Sequence, residues 1–161
     1  MLDKFLGKIK NREAVIGLVG LGYVGLPLLI EFSKAGFSVI GFDTDKNKIR
    51  LLKKSESYIQ HIGKDKIKAL NSTGKFNACS SFEKSAECDA ILICVPTPLT
   101  KQREPDMTYI ISTGKSLAPF VRKGQLFSLE STTYPGTTDE VLKPILEKGR
   151  LKAGEDLILH R

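Results

Sequence analysis

The sequence predicts an α/β fold with a doubly wound, mainly parallel sheet and helices on both of its faces. Along the chain, short apolar runs alternate with helix-like segments, which is the order that crossover connections between parallel strands require. Several of these runs are apolar throughout, as expected of strands that are covered on both sides. Together these observations indicate a sheet lying between two layers of helices.

The individual elements follow in chain order. The predicted strands are the apolar runs 14–19, 38–42, 76–78, 90–95, 125–129 and 156–159. The predicted helices lie between them, over 24–34, 45–54, 65–70, 81–87, 108–118 and 138–148. Pro144 lies inside the last of these, so that helix is expected to be kinked or interrupted there. Residues 97–105 are a predicted loop after the fourth strand, at the edge where open α/β sheets bind ligands.

Three predicted helices carry signals at their ends. Ser80 with Glu83, and Thr137 with Glu140, have the spacing of a capping box, in which a hydroxyl and a carboxylate bond the free N–H groups of a first turn. Gly36 follows the helix over 24–34, at a position where left-handed backbone is favoured.

Composition limits the class of protein. With 161 residues, 41% hydrophobic and 27% charged, the chain is typical of one soluble globular domain and excludes collagen-like, disordered and disulfide-scaffold proteins. The three cysteines contain no CxxC pair, so neither a disulfide framework nor a zinc ribbon is expected.

The longest apolar run, 90–96, is far shorter than the roughly 20 residues that span a bilayer. The segment 1–13 lacks the apolar core of a secretory signal, and we expect a cytoplasmic protein with no membrane partner.

The two histidines, His61 and His160, are widely separated and have no ligand spacing, so no metal site is expected. Neither is placed beside a nucleophile, and both are interpreted as hydrogen-bonded structural groups.

The excess of positive charge lies entirely in the first half of the chain. The net charge is +7, and the first 80 residues contain 14 basic and 7 acidic side chains. An anionic partner such as nucleic acid is one interpretation. The lysines are scattered through predicted helices, however, which favours solvated helix faces and no nucleic-acid partner.

The strongest local signal is a glycine-rich turn between a predicted strand and a predicted helix. Gly20, Gly22 and Gly25 form GxGxxG, in which the first glycine makes a tight turn, the second admits a pyrophosphate and the third allows close packing. The second strand ends at Asp43, where an acidic residue would accept hydrogen bonds from an adenosine ribose. The order of these features predicts a Rossmann-like dinucleotide site. Asp43 favours NAD over NADP because its charge would repel a 2′-phosphate, although Lys46 or Lys48 could neutralise one.

Four stretches extend this pattern beyond the glycine turn. They are GLGYVGLPL at 20–28, GFDTDKNKI at 41–49, VPTPLT at 95–100 and ESTTYPGTT at 130–138. In this order they resemble the N-terminal NAD-binding domain of the UDP-glucose/GDP-mannose dehydrogenase family, the nucleotide-sugar 6-dehydrogenases. The segment VPTPLTKQREPD, residues 95–106, is most similar to the branch that acts on UDP-N-acetylglucosamine.

The resemblance implies an NAD-dependent, four-electron oxidation of the C6 alcohol of a UDP-sugar to a carboxylate, for surface polysaccharide biosynthesis. It also implies a homodimer or higher oligomer for the full-length protein. Thr132 would position a water or the reacting sugar. The implied cofactor-binding residues are Gly20, Gly22, Tyr23, Val24, Gly25, Asp43, Lys48, Val95, Pro96, Thr97, Ser131 and Thr132.

One part of the family's machinery has no counterpart in the chain. The family captures the intermediate aldehyde on a cysteine in a glycine-rich motif followed by Pro-Lys-Asp, and Cys79, Cys88 and Cys94 do not match it. Cys94 is interpreted as a small buried hydrophobic residue. We therefore expect residues 1–161 to be the NAD-binding domain without the central and C-terminal substrate domains, and to bind the cofactor without turnover.

Other functions stay open on the sequence. The substrate could be UDP-glucose or UDP-N-acetylmannosamine, or the chain could be another Rossmann dehydrogenase of the hydroxyacid or 3-hydroxyacyl-CoA type. A non-catalytic module that binds NAD or nucleic acid is the alternative from a different class.

Overall fold

The computed structural model describes residues 1–160. At its centre is a six-stranded sheet in which every pairing is parallel, with the strand order β3-β2-β1-β4-β5-β6. The strands are β1 (Val15–Val19), β2 (Ser38–Phe42), β3 (Phe76–Cys79), β4 (Ala90–Ile93), β5 (Leu126–Leu129) and β6 (Ile158–His160). The doubly wound, Rossmann-like α/β prediction is confirmed.

Six α-helices connect and precede these strands. They are α1 (Leu2–Lys10), α2 (Gly25–Lys34), α3 (Lys46–Lys53), α4 (Lys64–Ser72), α5 (Thr108–Leu117) and α6 (Lys143–Leu146). Short 3₁₀ turns cover Glu83–Glu87, Ala118–Phe120 and Glu147–Gly149. Among residues 1–160 no helix combines the length and the apolar content that crossing a bilayer would need.

Two stretches differ from the predicted helices. The segment predicted as a helix over 81–87 forms only the 3₁₀ turn Glu83–Glu87. The helix predicted over 138–148 is not one regular α-helix: a π-helical turn at Thr138–Leu142 leads directly into the short helix α6, and Pro144 lies in the first turn of α6.

The predicted capping boxes are wrong at both places. Phe82, not Ser80, precedes the 3₁₀ turn, and no side chain caps it. Thr137 precedes the π-helical turn with helical backbone, and its Oγ1 donates instead to the carbonyl oxygen of Tyr134 at 2.8 Å. The Thr137 hydroxyl is therefore directed at the preceding turn, and no side chain caps the π-helical turn. Gly36 has φ +94°, so the left-handed end predicted for α2 is confirmed.

Helix α1 was not predicted, because lysines interrupt its apolar positions in the sequence. In the structure Phe5 is buried in the core, with Ile9 packed against it, while Leu2 and Leu6 are exposed. Lys8 extends from this helix to the sheet, where its Nζ lies 2.7 Å from Oδ1 of Asp89.

Buried side chains form one core on each face of the sheet. On one face, β1 contributes Ile16 and Leu18, which pack with α2 residues such as Leu29. On the other face, Ile91 and Phe127 pack with residues of the last helices. The central strands are therefore covered on both sides, which explains why their sequences are apolar throughout.

A buried carboxylate joins three elements at the amino ends of the central strands. Asp89 precedes β4 and accepts hydrogen bonds from Lys8 Nζ, from the backbone N–H of Val15 at 3.0 Å and from Arg122 Nη2 at 3.0 Å. Burial alone would raise the pKa of Asp89, but these bonds to its charged form hold the pKa below the ordinary value. Asp89 thus ties α1, β1 and the segment before β5 to one point.

Replacing Asp89 with Asn should destabilise the fold by about 2 kcal/mol at pH 7, because the positive charges of Lys8 and Arg122 lose their anionic partner. Because the pKa of Asp89 is lower in the folded state than in the unfolded state, its ionisation stabilises the fold at pH values above the unfolded pKa of about 3.9. This stabilisation is lost as the pH falls through the folded-state pKa. The difference between wild type and Asp89→Asn in urea unfolding should therefore be full at neutral pH and shrink below about pH 4. Asp3→Asn, on the exposed side of α1, is the matched control; equal effects of the two variants would contradict the prediction.

Candidate functional site

A cleft with a volume of about 960 Å³ opens at the carboxyl ends of the strands. The chain runs from β1 outward to β2 and β3 on one side, and to β4, β5 and β6 on the other. A reversal of strand order at this edge is where open α/β sheets bind ligands, and the volume suits a cofactor. The cleft is bordered by the turn between β1 and α2, the end of β2 and the loops after β4 and β5.

Each of the three glycines of the turn is suited to its position for a different steric reason. Gly20 has φ +90°, and a Cβ there would lie 2.6 Å from the carbonyl oxygen of Cys94. A Cβ on Gly25 would lie 1.8 Å from the carbonyl oxygen of Gly20, so α2 packs directly beneath the turn. No atom lies within 4 Å of the position of a Cβ on Gly22, which lines the cleft. The roles predicted for these residues from GxGxxG match this geometry.

The amino end of α2 lies at the glycine turn, whose residues Gly22, Tyr23 and Val24 line the cleft. Val24 is the N-cap, no side chain caps the helix, and its first turn contains no acidic residue. Tyr23 and Val24 have exposed fractions of 74% and 58%. An uncapped helix start beside an open glycine turn is suited to an anion such as a pyrophosphate, through its N–H groups and the helix dipole.

Asp43, at the end of β2, is held in a fixed orientation. Its Oδ2 accepts from the backbone N–H of Leu21 at 2.9 Å and from Lys48 Nζ at 3.1 Å, and its Oδ1 accepts from the N–H of Asp45 at 2.9 Å. Lys48 is placed by α3, whose N-cap Asp45 accepts from the N–H groups of Asn47 and Lys48. Asp43 and Lys48 therefore line the cleft as an ion pair, whereas Lys46 does not line it.

Tyr58 also belongs to this side of the cleft, and no motif in the sequence indicated it. Its Oη donates to the carbonyl oxygen of Leu21 at 2.6 Å, and Lys48 Nζ lies 5.8 Å from the centre of its ring. Burial, with the negative charges of Asp43 and Asp45, raises the pKa of Tyr58 well above its usual value, so the phenol stays a hydrogen-bond donor. Only the fold brings residue 58 to the glycine turn.

His61 packs at the rim of the same region. Its ring stacks on Tyr23 with the centroids 5.8 Å apart.

The opposite side of the cleft consists of the loops after β4 and β5, which are tied together by hydroxyl groups. Ser131 Oγ donates to the carbonyl oxygen of Val95 at 2.7 Å, and Thr97 Oγ1 donates to the carbonyl oxygen of Thr132 at 2.7 Å. Pro96 lies between these contacts and lines the cleft with them. The fold thus brings together all the residues predicted to bind the cofactor, with Gly25 beneath the turn and the other eleven along the cleft wall.

Cys88 and Cys94 are poor nucleophiles in their environments. Cys94 is half-buried and lines the cleft, so its interpretation as a small buried hydrophobic residue is only partly right. Burial, then the charge of Glu130, raises the pKa of Cys94 to about 11. Burial raises the pKa of Cys88 to about 12. Since the thiolate is the reactive form, neither thiol is activated.

Glu130 adds a carboxylate to the side of the cleft that contains Thr97 and Thr132. Its Oε1 accepts from Ser128 Oγ at 2.5 Å, and Ser128 Oγ lies 3.2 Å from Nδ1 of His160. Glu130 begins the stretch ESTTYPGTT, but nothing in the sequence connected it with residue 160. Among residues 1–160 no group of three or more potential metal ligands is found.

Comparison with known proteins identifies the arrangement. Residues 14–159 match the NAD-binding domain of the UDP-glucose/GDP-mannose dehydrogenase family. The chain belongs to this family. The resemblance drawn from the four sequence stretches is confirmed, and so is NAD as the cofactor of the domain.

Two relatives and one solved structure show how far the similarity extends. UDP-N-acetyl-D-glucosamine 6-dehydrogenase of Salmonella typhi is 37% identical over 136 residues, 84% of this chain and 31% of that protein. UDP-N-acetyl-D-mannosamine dehydrogenase of Escherichia coli (strain K12) is 36% identical over 134 residues, 83% of this chain and 31% of that protein. The ternary-complex structure of GDP-mannose dehydrogenase from Pseudomonas aeruginosa has a TM-score of 0.85 at 31% identity, covering 89% of this chain and 34% of that one. The chain spans about a third of the length of these relatives.

The family's cofactor fits the residues present. Gly22 leaves open space for a backbone-bound pyrophosphate, α2 presents an uncapped start, and Asp43 offers an oriented acceptor at the far side. When bound, NAD supplies the hydride acceptor, and the residues of this chain bind and orient it.

Two glycine variants should separate folding from binding. Gly25→Ala should cost more than about 2 kcal/mol of stability, because its Cβ meets the backbone of Gly20. Gly22→Ala should change stability by less than about 0.5 kcal/mol, since its Cβ meets nothing, but weaken NAD binding about tenfold or more because the methyl group occupies the space of the ligand. Thermal unfolding and calorimetric titration with NAD measure the two effects. Unchanged NAD affinity in Gly22→Ala would show that the pyrophosphate does not lie against this turn.

Proposed function

We propose that this chain is the NAD-binding part of a nucleotide-sugar 6-dehydrogenase whose substrate is UDP-N-acetylglucosamine. The reaction converts the C6 alcohol of the sugar into a carboxylate, and the uronic acid product serves surface polysaccharide synthesis. The observation that supports this most is the pairing of Asp43 with the Thr97 and Thr132 loops across one cleft. Relatives named UDP-N-acetyl-D-glucosamine 6-dehydrogenase, at 32% and 37% identity, support the choice of sugar.

In this proposal each half of the cleft binds one half of NAD. The turn of Gly20, Gly22 and the start of α2 holds the pyrophosphate through backbone N–H groups, with Tyr23 and Val24 at the rim. Asp43 accepts hydrogen bonds from the adenosine ribose. A carboxylate has about four acceptor sites, and three of those on Asp43 are already used, so a second ribose hydroxyl would take the place of Lys48 Nζ.

The other half of the cofactor lies between the loops after β4 and β5. Val95, Pro96, Thr97 and Ser131 form this wall, and their mutual hydrogen bonds keep its shape. Thr132 uses its backbone carbonyl, not its hydroxyl, in the contact with Thr97. We assign the Thr132 hydroxyl the positioning of a water or of the reacting sugar, because a hydroxyl can donate and accept in one site.

Asp43→Asn should reduce the preference for NAD over NADP. The amide keeps the shape of the carboxylate but removes the charge that repels a 2′-phosphate and weakens the bonds to ribose hydroxyls, so NAD affinity should fall about tenfold while NADP affinity stays or rises. Titration with both cofactors measures the ratio. Asp65→Asn on the exposed side of α4 is the control. A ratio that stays constant in Asp43→Asn would remove Asp43 from cofactor selection.

A second sugar is supported by a specific observation. The E. coli relative named UDP-N-acetyl-D-mannosamine dehydrogenase is 36% identical, nearly the same as the 37% of the S. typhi relative. UDP-N-acetylmannosamine is therefore the second candidate substrate.

The substrate assignment is tested by assaying the complete gene product that contains this chain with NAD and each of UDP-N-acetylglucosamine, UDP-N-acetylmannosamine and UDP-glucose. We expect kcat/KM to be highest for UDP-N-acetylglucosamine by about tenfold or more. The 161-residue chain alone should bind NAD but form no NADH with any UDP-sugar, because it spans about a third of its relatives' length and none of its cysteines lies in the family's glycine-rich motif. A higher kcat/KM for another sugar would overturn the substrate, and turnover by the chain alone would overturn its assignment as the binding part.

A further inference from the structure

Glu130 lies apart from the other charged residues of the cleft. Of the described residues that line it, Asp43, Asp45 and Lys48 are charged and lie together at the end of β2 and the start of α3. Glu130 is the one charged residue on the β4 and β5 side. That side of the cleft therefore has net negative charge, with no lysine or arginine of the lining to balance it.

The carboxylate of Glu130 is oriented from behind by two residues of the sheet. Ser128 and Glu130 are two positions apart at the end of β5, so their side chains lie on the same face. His160 is paired with Ser128 in the register of β5 and β6 and lies on that face as well. The resulting row runs from His160 through Ser128 to Glu130, with contacts of 3.2 Å and 2.5 Å.

The hydrogen bonds of this row leave one carboxylate oxygen of Glu130 open to a ligand. A serine hydroxyl has one proton, which Ser128 donates to Oε1 of Glu130. His160 Nδ1 must therefore be the donor in its contact with Ser128 Oγ. Both donors therefore point along the row toward the carboxylate. The second carboxylate oxygen, Oε2, is not used in the bond from Ser128.

The charge of Glu130 also reaches the floor of the cleft. Cys94, at the end of β4, has its pKa raised by burial and then by the negative charge of Glu130. The exposed carboxylate of Glu130 therefore lies near enough to Cys94 to act on its thiol. The Cys94 thiol stays neutral and adds no second negative charge.

We propose that Glu130, oriented by Ser128 and His160, is an anionic contact for the oxidised nicotinamide ring and makes this cleft prefer NAD⁺ to NADH. The inference rests on the proposed function, which puts the adenosine half of NAD at Asp43 and the nicotinamide half on the opposite side. The nicotinamide ring is positively charged in NAD⁺ and neutral in NADH. A fixed carboxylate therefore stabilises only the oxidised form, and this attraction is lost once the ring has accepted a hydride.

Titration of the 161-residue chain with NAD⁺, NADH and ADP-ribose tests the proposal by binding alone. In Glu130→Gln the ratio of the NADH Kd to the NAD⁺ Kd should fall about tenfold, nearly all of it from weaker NAD⁺ binding. ADP-ribose contains no nicotinamide, so its affinity should stay unchanged. Ser128→Ala should shift the ratio in the same direction by a smaller factor, because Glu130 keeps its charge but loses its orientation.

Glu13→Gln removes the same charge at the opposite end of the sheet and should leave all three affinities unchanged. Thermal unfolding of each variant reports whether it folds. Equal weakening of NAD⁺ and NADH by Glu130→Gln, or no change in either, would overturn the role of Glu130 while leaving the proposed function standing. Failure of the wild-type chain to bind NAD⁺, NADH or ADP-ribose would instead overturn the proposed function.

Discussion

The close approach of backbone to backbone at Gly20 and Gly25 is the constraint on which the rest of the structure depends. The turn lies against the carbonyl oxygen of Cys94, and α2 begins directly beneath the turn, so three elements meet without any intervening side chain. This contact sets the position of α2 on the sheet, with its uncapped amino end beside residues that line the cleft. Fold and ligand site are therefore built by the same few atoms.

Asp43 extends this constraint to the second strand. By accepting from the N–H of Leu21 it fixes the turn, and by pairing with Lys48 it fixes the start of α3. The same carboxylate is the acceptor offered to a ribose in the proposed function. Across the cleft, the hydroxyls of Ser131 and Thr97 connect two loops that would otherwise move independently. Each wall is held by these bonds before any cofactor is present. Less conformational entropy is therefore lost when the cofactor binds.

The two walls have the same formal net charge but arrange it differently. On the Asp43 side a lysine pairs with one of two acidic residues, whereas on the opposite side the described lining residues place no lysine or arginine beside Glu130. The carboxylate of Glu130 is the one that we assign to the cationic ring of the dinucleotide. Far from the cleft, Asp89 has a purely structural role and balances its charge with Lys8 and Arg122.

The sequence by itself determined the order of strands and helices, the glycine turn and its acidic partner, because these depend on local periodicity and on the steric freedom of particular glycines. It did not determine the ends of the helices: the hydroxyl of Thr137 bonds a preceding turn instead of capping, and α1 is amphipathic only in relation to the surface that receives Phe5. Tyr58 and the row of His160, Ser128 and Glu130 came from the tertiary structure alone. Residues distant in sequence become neighbours through parallel strand pairing, and no local pattern records which strands will pair.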